Sequence, residues 1–367
     1  MKKKILSILM LVAILLSVVA CTDNSKKTTD DKKDAKVENS KEEVKDEKKA
    51  DEKAEEKKEE KKEEAKEEKA EEKKEEKAEE KKEDKAEDKK EAAATLEGEY
   101  LVTPEYVKEN LENDKIIFVD ARGEDGAKSG TVPGAIAVAW PALADMEGKE
   151  AGDEGWGHIL EAKALSEKLS AFGLDMEKEI IIIANGKDGW GDDGRILWEL
   201  LAAGYKNVKM VNGGIDAIKA AGVELVKEVA KPEEAKVEVE EIDFTHVIDT
   251  KELSEKIADY KVVDTRNTDE YEGAVKFGEA KGGRIPGAIH VQFIDLFGED
   301  GMLKSKEDLI AMFTDAGLKP EDNIVTYCTG GIRSAYMQLV MHMCGFENVK
   351  NYQGSYYCWA KVNEVEK

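Results

Sequence analysis

The sequence predicts an α/β protein. It should have two similar domains in tandem, each a mainly parallel sheet with helices on both faces, behind a disordered or helical charged spacer. Three observations predict this. A set of motifs recurs 144 residues further along the 367-residue chain. Within each copy, short apolar runs alternate with helix-like stretches, the pattern of a parallel sheet covered on both faces. Residues 22–94 are almost wholly Lys, Glu, Asp and Ala, so burial there cannot offset the entropy of ordering.

Residues 1–21 have the pattern of an export signal. Lys2, Lys3 and Lys4 form a charged start, and Ile5–Ala20 is an apolar run of 16 residues, short of the roughly 20 needed to span a membrane. The run ends in Val18-Val19-Ala20-Cys21, which resembles the bacterial lipobox. That resemblance implies cleavage before Cys21, a lipid on its sulfur, and anchorage at the extracytoplasmic face of a cell membrane. An ordinary signal peptide and an uncleaved anchor are the alternatives.

The spacer, residues 22–94, is typified by EEKKEEAKEEKAEEKKEEK at 59–77. Glu and Lys at i,i+4 favour a solvated single helix. Without an apolar a/d stripe it is no coiled coil. It would reach roughly 45–50 Å as a coil or about 110 Å as a helix. Residues 1–94 carry only −3 of the chain's net −25. The acidic excess therefore sits on 95–367, which disfavours nucleic acid and anionic membrane surfaces as partners.

The repeat divides the remainder into a first domain at 95–226, a linker at 227–245 and a second domain at 246–367. FVDARGEDGAKSGTVPGAIAV (118–138) parallels VVDTRNTDEYEGAVKFGEAKGGRIPGAIHV (262–291). NVKMVNGGI (207–215) parallels NVKNYQGSY (348–356). In the second copy the pattern predicts a helix over 253–258 and a strand over 262–264. A strand at 288–291, a helix at 306–316 and a strand at 324–327 follow. A helix at 335–344 and a strand at 349–352 complete it. In the first copy, EIIIIAN (179–185) is the central strand. The stretch KEVAKPEEAKVEVEEIDF (227–244) is charged, holds a Pro and is read as the linker.

Besides Cys21 there are Cys328, Cys344 and Cys358. An odd number of thiols in an exported chain points to a free reactive one. His158, His246, His290 and His342 are scattered and lack zinc-ligand spacing. No metal and no other cofactor is expected. Cys328 is the candidate nucleophile, because it ends an apolar run and precedes CTGGIRS (328–334). In open parallel sheets ligands bind beyond the carboxyl ends of the strands. Gly330 and Gly331 free the backbone to aim successive N–H groups inward. The following helix adds its positive end. Together they should depress the thiol's pKa and make it a thiolate. The alternative is a buried structural Cys beside a turn.

The tandem Asp-x-Arg and Gly-x-Ile-Pro-Gly-Ala-Ile motifs and the Cys-loop-helix together resemble the two-domain rhodanese (thiosulfate sulfurtransferase) family, over about 95–367. YQGSYYCWA (352–360) is similar to that family's terminal Gly-Ser-x-x-x-Trp segment and places Trp359 near the site. The resemblance implies one active cysteine in the second domain. Cys328 would take a sulfane sulfur from a donor such as thiosulfate and hand it to a thiol, or to cyanide in vitro. Related Cys-x5-Arg cradles enclose phosphate or arsenate; Cys328-x4-Arg333 is one residue shorter and suits a single sulfur.

The first copy places Ala184 or Asn185 at the position of Cys328, in a loop about two residues longer that carries Asp188, Asp192 and Asp193. It is expected to be inactive and to wall the site through Trp190 and Arg195, with Trp198 in the core. Asp264 and Arg266 recur as Asp120 and Arg122, which favours an architectural ion pair. Thr329 through Ser334, with Ile332 and Arg333, form the substrate loop. Arg333 is expected to meet an anionic donor or else to shape the loop. Animal thiosulfate and mercaptopyruvate enzymes carry an arginine near the position of Glu270, and their loops read Cys-x-x-Gly-Val-Thr. This chain matches neither pattern, so the donor is open. Cys344 is expected in the core. Cys358 is expected near the interface, or as a resolving thiol. The alternative function is a non-catalytic sulfur carrier or redox-sensing module at the cell surface.

Overall fold

The computed structural model describes residues 94–367. The expected export signal, Cys21 and all of the expected spacer before residue 94 lie outside the described residues. The first repeat contains β1 (Leu101–Val102), β2 (Ile116–Asp120), β3 (Ile136–Ala137) and a small antiparallel pair, β4 (Ala144–Asp145) with β5 (His158–Ile159). β6 (Glu179–Ile183) and β7 (Val208–Val211) follow. The second contains β8 (Val247–Ile248), β9 (Lys261–Asp264), β10 (Ile289–His290), β11 (Ile324–Tyr327) and β12 (Val349–Tyr352). Each repeat forms one wholly parallel five-stranded sheet, ordered β1-β7-β6-β2-β3 and β10-β9-β11-β12-β8. The central strands are continuous apolar runs because helices cover both of their faces. All of Ile180–Ile183 and all of β11 are buried.

Sheet register settles how the repeats correspond. Asp120 pairs with Ile183 across β2 and β6, and Asp264 with Tyr327 across β9 and β11. Tyr327 therefore matches Ile183, and Ala184, not Asn185, stands where Cys328 does. The next helix starts at Asp192, eight residues after Ala184, but at Arg333, only five after Cys328. The first loop is thus longer by three residues rather than about two.

These two helices, Asp192–Ala202 and Arg333–Met343, pack against each other and are buried almost end to end. Ile196, Leu197 and Leu200 share one core with Leu339, Val340 and Met341. Gly194 lies inside the first helix, where glycine ordinarily costs about 1 kcal/mol. A methyl there would sit 2.8 Å from the Tyr336 Cα, so close approach of the two helices requires it. The repeats are therefore joined by a continuous interior.

Several elements differ from expectation in ways that local chemistry explains. The helix expected at 253–258 runs Thr250–Lys256, because the Asp249 side chain accepts from the Glu252 N–H and caps it. The helix expected at 335–344 begins two residues earlier, at Arg333. The strand expected at 288–291 is only Ile289–His290. The stretch expected as a linker is pinned to the first repeat. Val237 and Val239 are buried, and their N–H groups donate to Ser170 Oγ at 3.1 Å and Ser166 Oγ at 2.9 Å. Its alternation of Val with Lys and Glu is a period-2 pattern hidden within a charged run. The two-residue edge strands β1 and β8 and the last helix, Ser355–Val362, carry too little pattern to be seen locally.

Candidate active site

Cys328 follows β11 directly, at the carboxyl edge of the second sheet. Its backbone groups are all engaged by the last helix. The Cys328 N–H donates to Ser355 Oγ at 2.9 Å, and the Tyr356 and Tyr357 N–H groups donate to the Cys328 and Thr329 carbonyls at 3.0 Å. These donors are the orphan amides of a helix start. Ser355 adopts a left-handed φ of +51°, strain of a kind that persists where the surroundings enforce it. Holding those carbonyls outward leaves the loop's other amides to the sulfur. The Gly331 and Ile332 N–H groups donate to Cys328 Sγ at 3.1 and 3.2 Å. No side chain caps the helix Arg333–Met343 in the ordinary way; the sulfur accepts the amides just ahead of it.

Gly331 makes this turn possible. Its φ is +85°, and a methyl on it would lie 2.6 Å from the Gln353 carbonyl and 2.8 Å from Arg195 Nη1. Its own carbonyl accepts from Arg195 Nη1 at 3.1 Å and from Asn351 Nδ2 at 3.2 Å. Ser334 is buried, and its Oγ donates to Asn351 Oδ1 at 2.7 Å. Burial of Cys328 opposes ionisation. The Arg333 charge, the Ser334 amide and hydroxyl and the Gly330 amide outweigh it and hold the thiol below its ordinary value.

Arg333 does not lie open to an anionic substrate. Its Nη1 and Nη2 meet Glu270 Oε2 and Oε1 at 2.9 and 2.8 Å, a buried two-pronged pair, and Nη2 also meets Thr329 Oγ1 at 2.9 Å. Thr329 Oγ1 in turn donates to Glu270 Oε1 at 2.8 Å. Its Nε has no hydrogen-bond partner. Arg333 therefore shapes the loop, the second of its two expected roles. Thr329, expected in the substrate loop, spends its hydroxyl on Glu270. Burial works against the Glu270 carboxylate, but Arg333 and Thr329 hold its pKa low.

Asp264 and Arg266 form the expected architectural pair. Arg266 Nη2 meets Asp264 Oδ2 at 2.6 Å and the Gly283 carbonyl at 2.7 Å, with both side chains fully buried. Tyr327 donates to Asp264 at 2.5 Å, and the guanidinium stacks on Tyr356 at 3.9 Å. In the first repeat Arg122 bridges Asp120 and the Gly130 carbonyl, both at 2.6 Å. Each pair ties a strand end to the loop before the Pro-Gly turn. Trp359 does not reach the site. It packs in the core beneath the sheet, with its Nε1 donating to the Glu364 carbonyl at 2.9 Å. Its neighbour Tyr357 is at the site instead.

Above Cys328 opens a cavity of about 310 Å³. Trp140, Trp156, Trp190 and Asp192 of the first repeat line it, with Phe277, Tyr357 and the 328–333 loop of the second. Trp190 walls the site as expected, and the Arg333 guanidinium lies over its ring at 5.0 Å. Arg195 stands behind the wall, its Nε on Glu199 at 2.8 Å and its Nη2 on the Gly157 carbonyl at 2.6 Å. Trp198 is core. Asp192 lines the cavity and Asp193 is buried beside it, while Asp188 is exposed, so the three acids do not act as one group. Trp140, Trp156, Phe277 and Tyr357 escaped the sequence reading. For Trp140, Trp156 and Phe277 the only local signal is an aromatic beside a Gly or Pro, as in DEGWGH (153–158) and AWPA (139–142).

The other described cysteines are free and buried. Burial pushes Cys344 and Cys358 up to about 11. Cys358 donates to the Asp153 carbonyl and borders a separate cavity that shares no lining residue with the Cys328 cavity. It packs at the junction of the repeats and faces a different space from the nucleophile.

Comparisons with known proteins agree with this geometry. A thiosulfate sulfurtransferase of Pseudomonas aeruginosa is 29% identical over 263 residues, covering 71% of this chain and 93% of that protein. The sulfur carrier protein TtuD of Thermus thermophilus is 27% identical over 290 residues, covering 72% and 94%. Among solved structures, an anaerobic ergothioneine biosynthesis enzyme from Chlorobium limicola superposes with a TM-score of 0.66 at 21% identity. It covers 74% of this chain and 71% of that one, and shares the fold. The rhodanese-like domain model matches twice, at 103–221 and 249–362. With two such domains, a cysteine sulfur cradled by backbone amides in the second and sulfurtransferases among its relatives, the chain belongs to the rhodanese-like family.

Proposed function

We propose that this protein is a sulfurtransferase that moves a sulfane sulfur through a Cys328 persulfide. The observation that carries the reading is the sulfur itself, buried yet accepting two backbone amides and lowered in pKa beside Arg333. The Cys328 thiolate attacks the outer sulfur of a donor such as thiosulfate. A new S–S bond forms, the donor's S–S bond breaks, and sulfite leaves with the electron pair. An acceptor thiolate then attacks the outer sulfur of the persulfide. The Cys328 S–S bond breaks and its electron pair returns to Cys328, where the amides of Gly331 and Ile332 receive the charge. The cycle is redox-neutral and uses no cofactor.

The test is intact-mass measurement after incubation with a donor. Wild-type protein gains one sulfur atom on Cys328, and Cys328→Ser gains none. Failure to load with thiosulfate, polysulfide and organic persulfides would remove the transferase reading. A second reading, a sulfur carrier that delivers to another protein, is favoured by the relative with that name. It predicts loading without turnover on small thiols. We also propose, from Val18–Cys21, that the site works at the extracytoplasmic face of a cell membrane on a lipid anchor.

A further inference from the structure

We infer that the cavity over Cys328 selects a sulfur acceptor bearing an ammonium group, held in an aromatic box against Asp192. The inference rests on the sulfurtransferase reading and names its substrate class. Five aromatic rings line a space of about 310 Å³, at the lower end of small-molecule sites. They form two sets. Trp156 meets Tyr357 edge-on at 5.1 Å and Trp140 at 6.2 Å, while Trp190 meets Phe277 edge-on at 5.2 Å. Aromatic ring faces attract cations. Two rings already do so, since Arg195 stacks on Trp140 at 5.1 Å and Arg333 on Trp190 at 5.0 Å. Trp156, Tyr357 and Phe277 carry no such partner.

The charges in the cavity point the same way. Arg333 is the only cation among its lining residues, and Glu270 neutralises it through two hydrogen bonds. Asp192 has no ion-pair partner among the described residues. Burial pushes it up to about 6, so it is an anion at pH 8. Once Cys328 is loaded, its anionic persulfide sits in the same space as this carboxylate. An incoming thiolate would meet two negative charges. A thiolate that carries an ammonium group is neutral overall, and its positive end fits both the rings and Asp192. An acceptor with a second negative charge adds to the repulsion from the persulfide and Asp192, with Arg333 already held by Glu270.

Two arms test this. In the first, tryptophan fluorescence reports binding of two unreactive thioethers with the same chain. One is S-methylthiocholine, with a trimethylammonium end; the other is methylthioethanesulfonate. The full protein at pH 8 is expected to bind the cation at least roughly ten-fold more tightly, the scale of one good cation–π contact with a nearby carboxylate. Asp192→Asn should erase most of that preference. Phe277→Ala, at a ring that is 41% exposed, should weaken the cation and leave the anion unchanged. Equal binding of the two ends, no binding of the cation, or an indifferent Asp192→Asn overturns the inference. The second arm loads the enzyme with sulfur and compares thiocholine, mercaptoethanol and mercaptoethanesulfonate as acceptors, each rate normalised to its thiolate fraction. Acceptance in that order supports the inference, and a flat or inverted order overturns it. Sulfur loading is read separately by mass, so a protein that loads but does not discriminate refutes this substrate class and leaves the transferase reading intact.

Discussion

Replacing Glu270 with Gln tests how the nucleophile is tuned. Glu270 is fully buried and holds Arg333 by two hydrogen bonds of 2.9 and 2.8 Å. In the variant one carboxylate oxygen becomes an NH₂ group. If it stands where Oε2 was, it faces the Nη1 donor, so two donors oppose each other and the prong is lost. If the amide is turned, it opposes Nη2 and Thr329 instead. Either way Arg333 stays charged and buried without a counter-ion. Breaking a buried pair on one side costs about 3–5 kcal/mol, and the retained hydrogen bond brings the expected loss to about 2–4 kcal/mol. The nucleophile responds in the opposite sense. Arg333 is the foremost influence lowering the Cys328 pKa against burial. With Glu270 neutral, its charge is uncompensated and the thiolate gains stability. The assay is iodoacetamide alkylation of Cys328 as a function of pH, paired with urea unfolding. The expected outcome is a lower unfolding midpoint together with an alkylation midpoint at lower pH and better use of thiosulfate. An alkylation midpoint that stays put or rises, in protein shown to be folded, would refute the assigned electrostatics.

Other consequences are equally direct. Gly331→Ala places a methyl 2.6 Å from a carbonyl at φ +85°. It should cost about 1–3 kcal/mol and raise the alkylation midpoint as the amides turn from the sulfur, both read in the assays above. Asp193 is buried, and burial pushes its pKa up to about 7 from 3.8. The native state therefore holds a proton that the unfolded chain releases above about pH 4, so this group's contribution to stability falls as pH rises from about 4 to 7 and is flat beyond. Asp193→Asn should flatten that slope and raise the thermal midpoint at pH 8, as calorimetry across pH would show. Cys21→Ser should release the protein from the membrane fraction, as cell fractionation and lipid labelling would show.

Local sequence determined a great deal. The run Ile324–Tyr327 followed by Cys-Thr-Gly-Gly reads as a strand, a nucleophile and a turn, because β-propensity and glycine freedom depend on adjacent residues. The doubled Asp-x-Arg was legible as architecture because its partners lie two residues apart and recur in a repeat without a nucleophile. The absence of a cysteine between 22 and 327 was enough to deny the first repeat a persulfide. What escaped lies far apart along the chain. Glu270 meets Arg333 across 63 positions, and Arg195 reaches Gly331 across 136. Trp140 and Trp156 enter a site whose nucleophile belongs to the other repeat. Trp359, placed near the site by motif, turns into the core because the helix that presents Tyr357 to the cavity must point the next residues elsewhere. Chain-local chemistry thus marked the atom proposed to react. The packing of Asp192–Ala202 on Arg333–Met343 brings the two sheets' loops together, and it decided which side chains of the first repeat surround that atom.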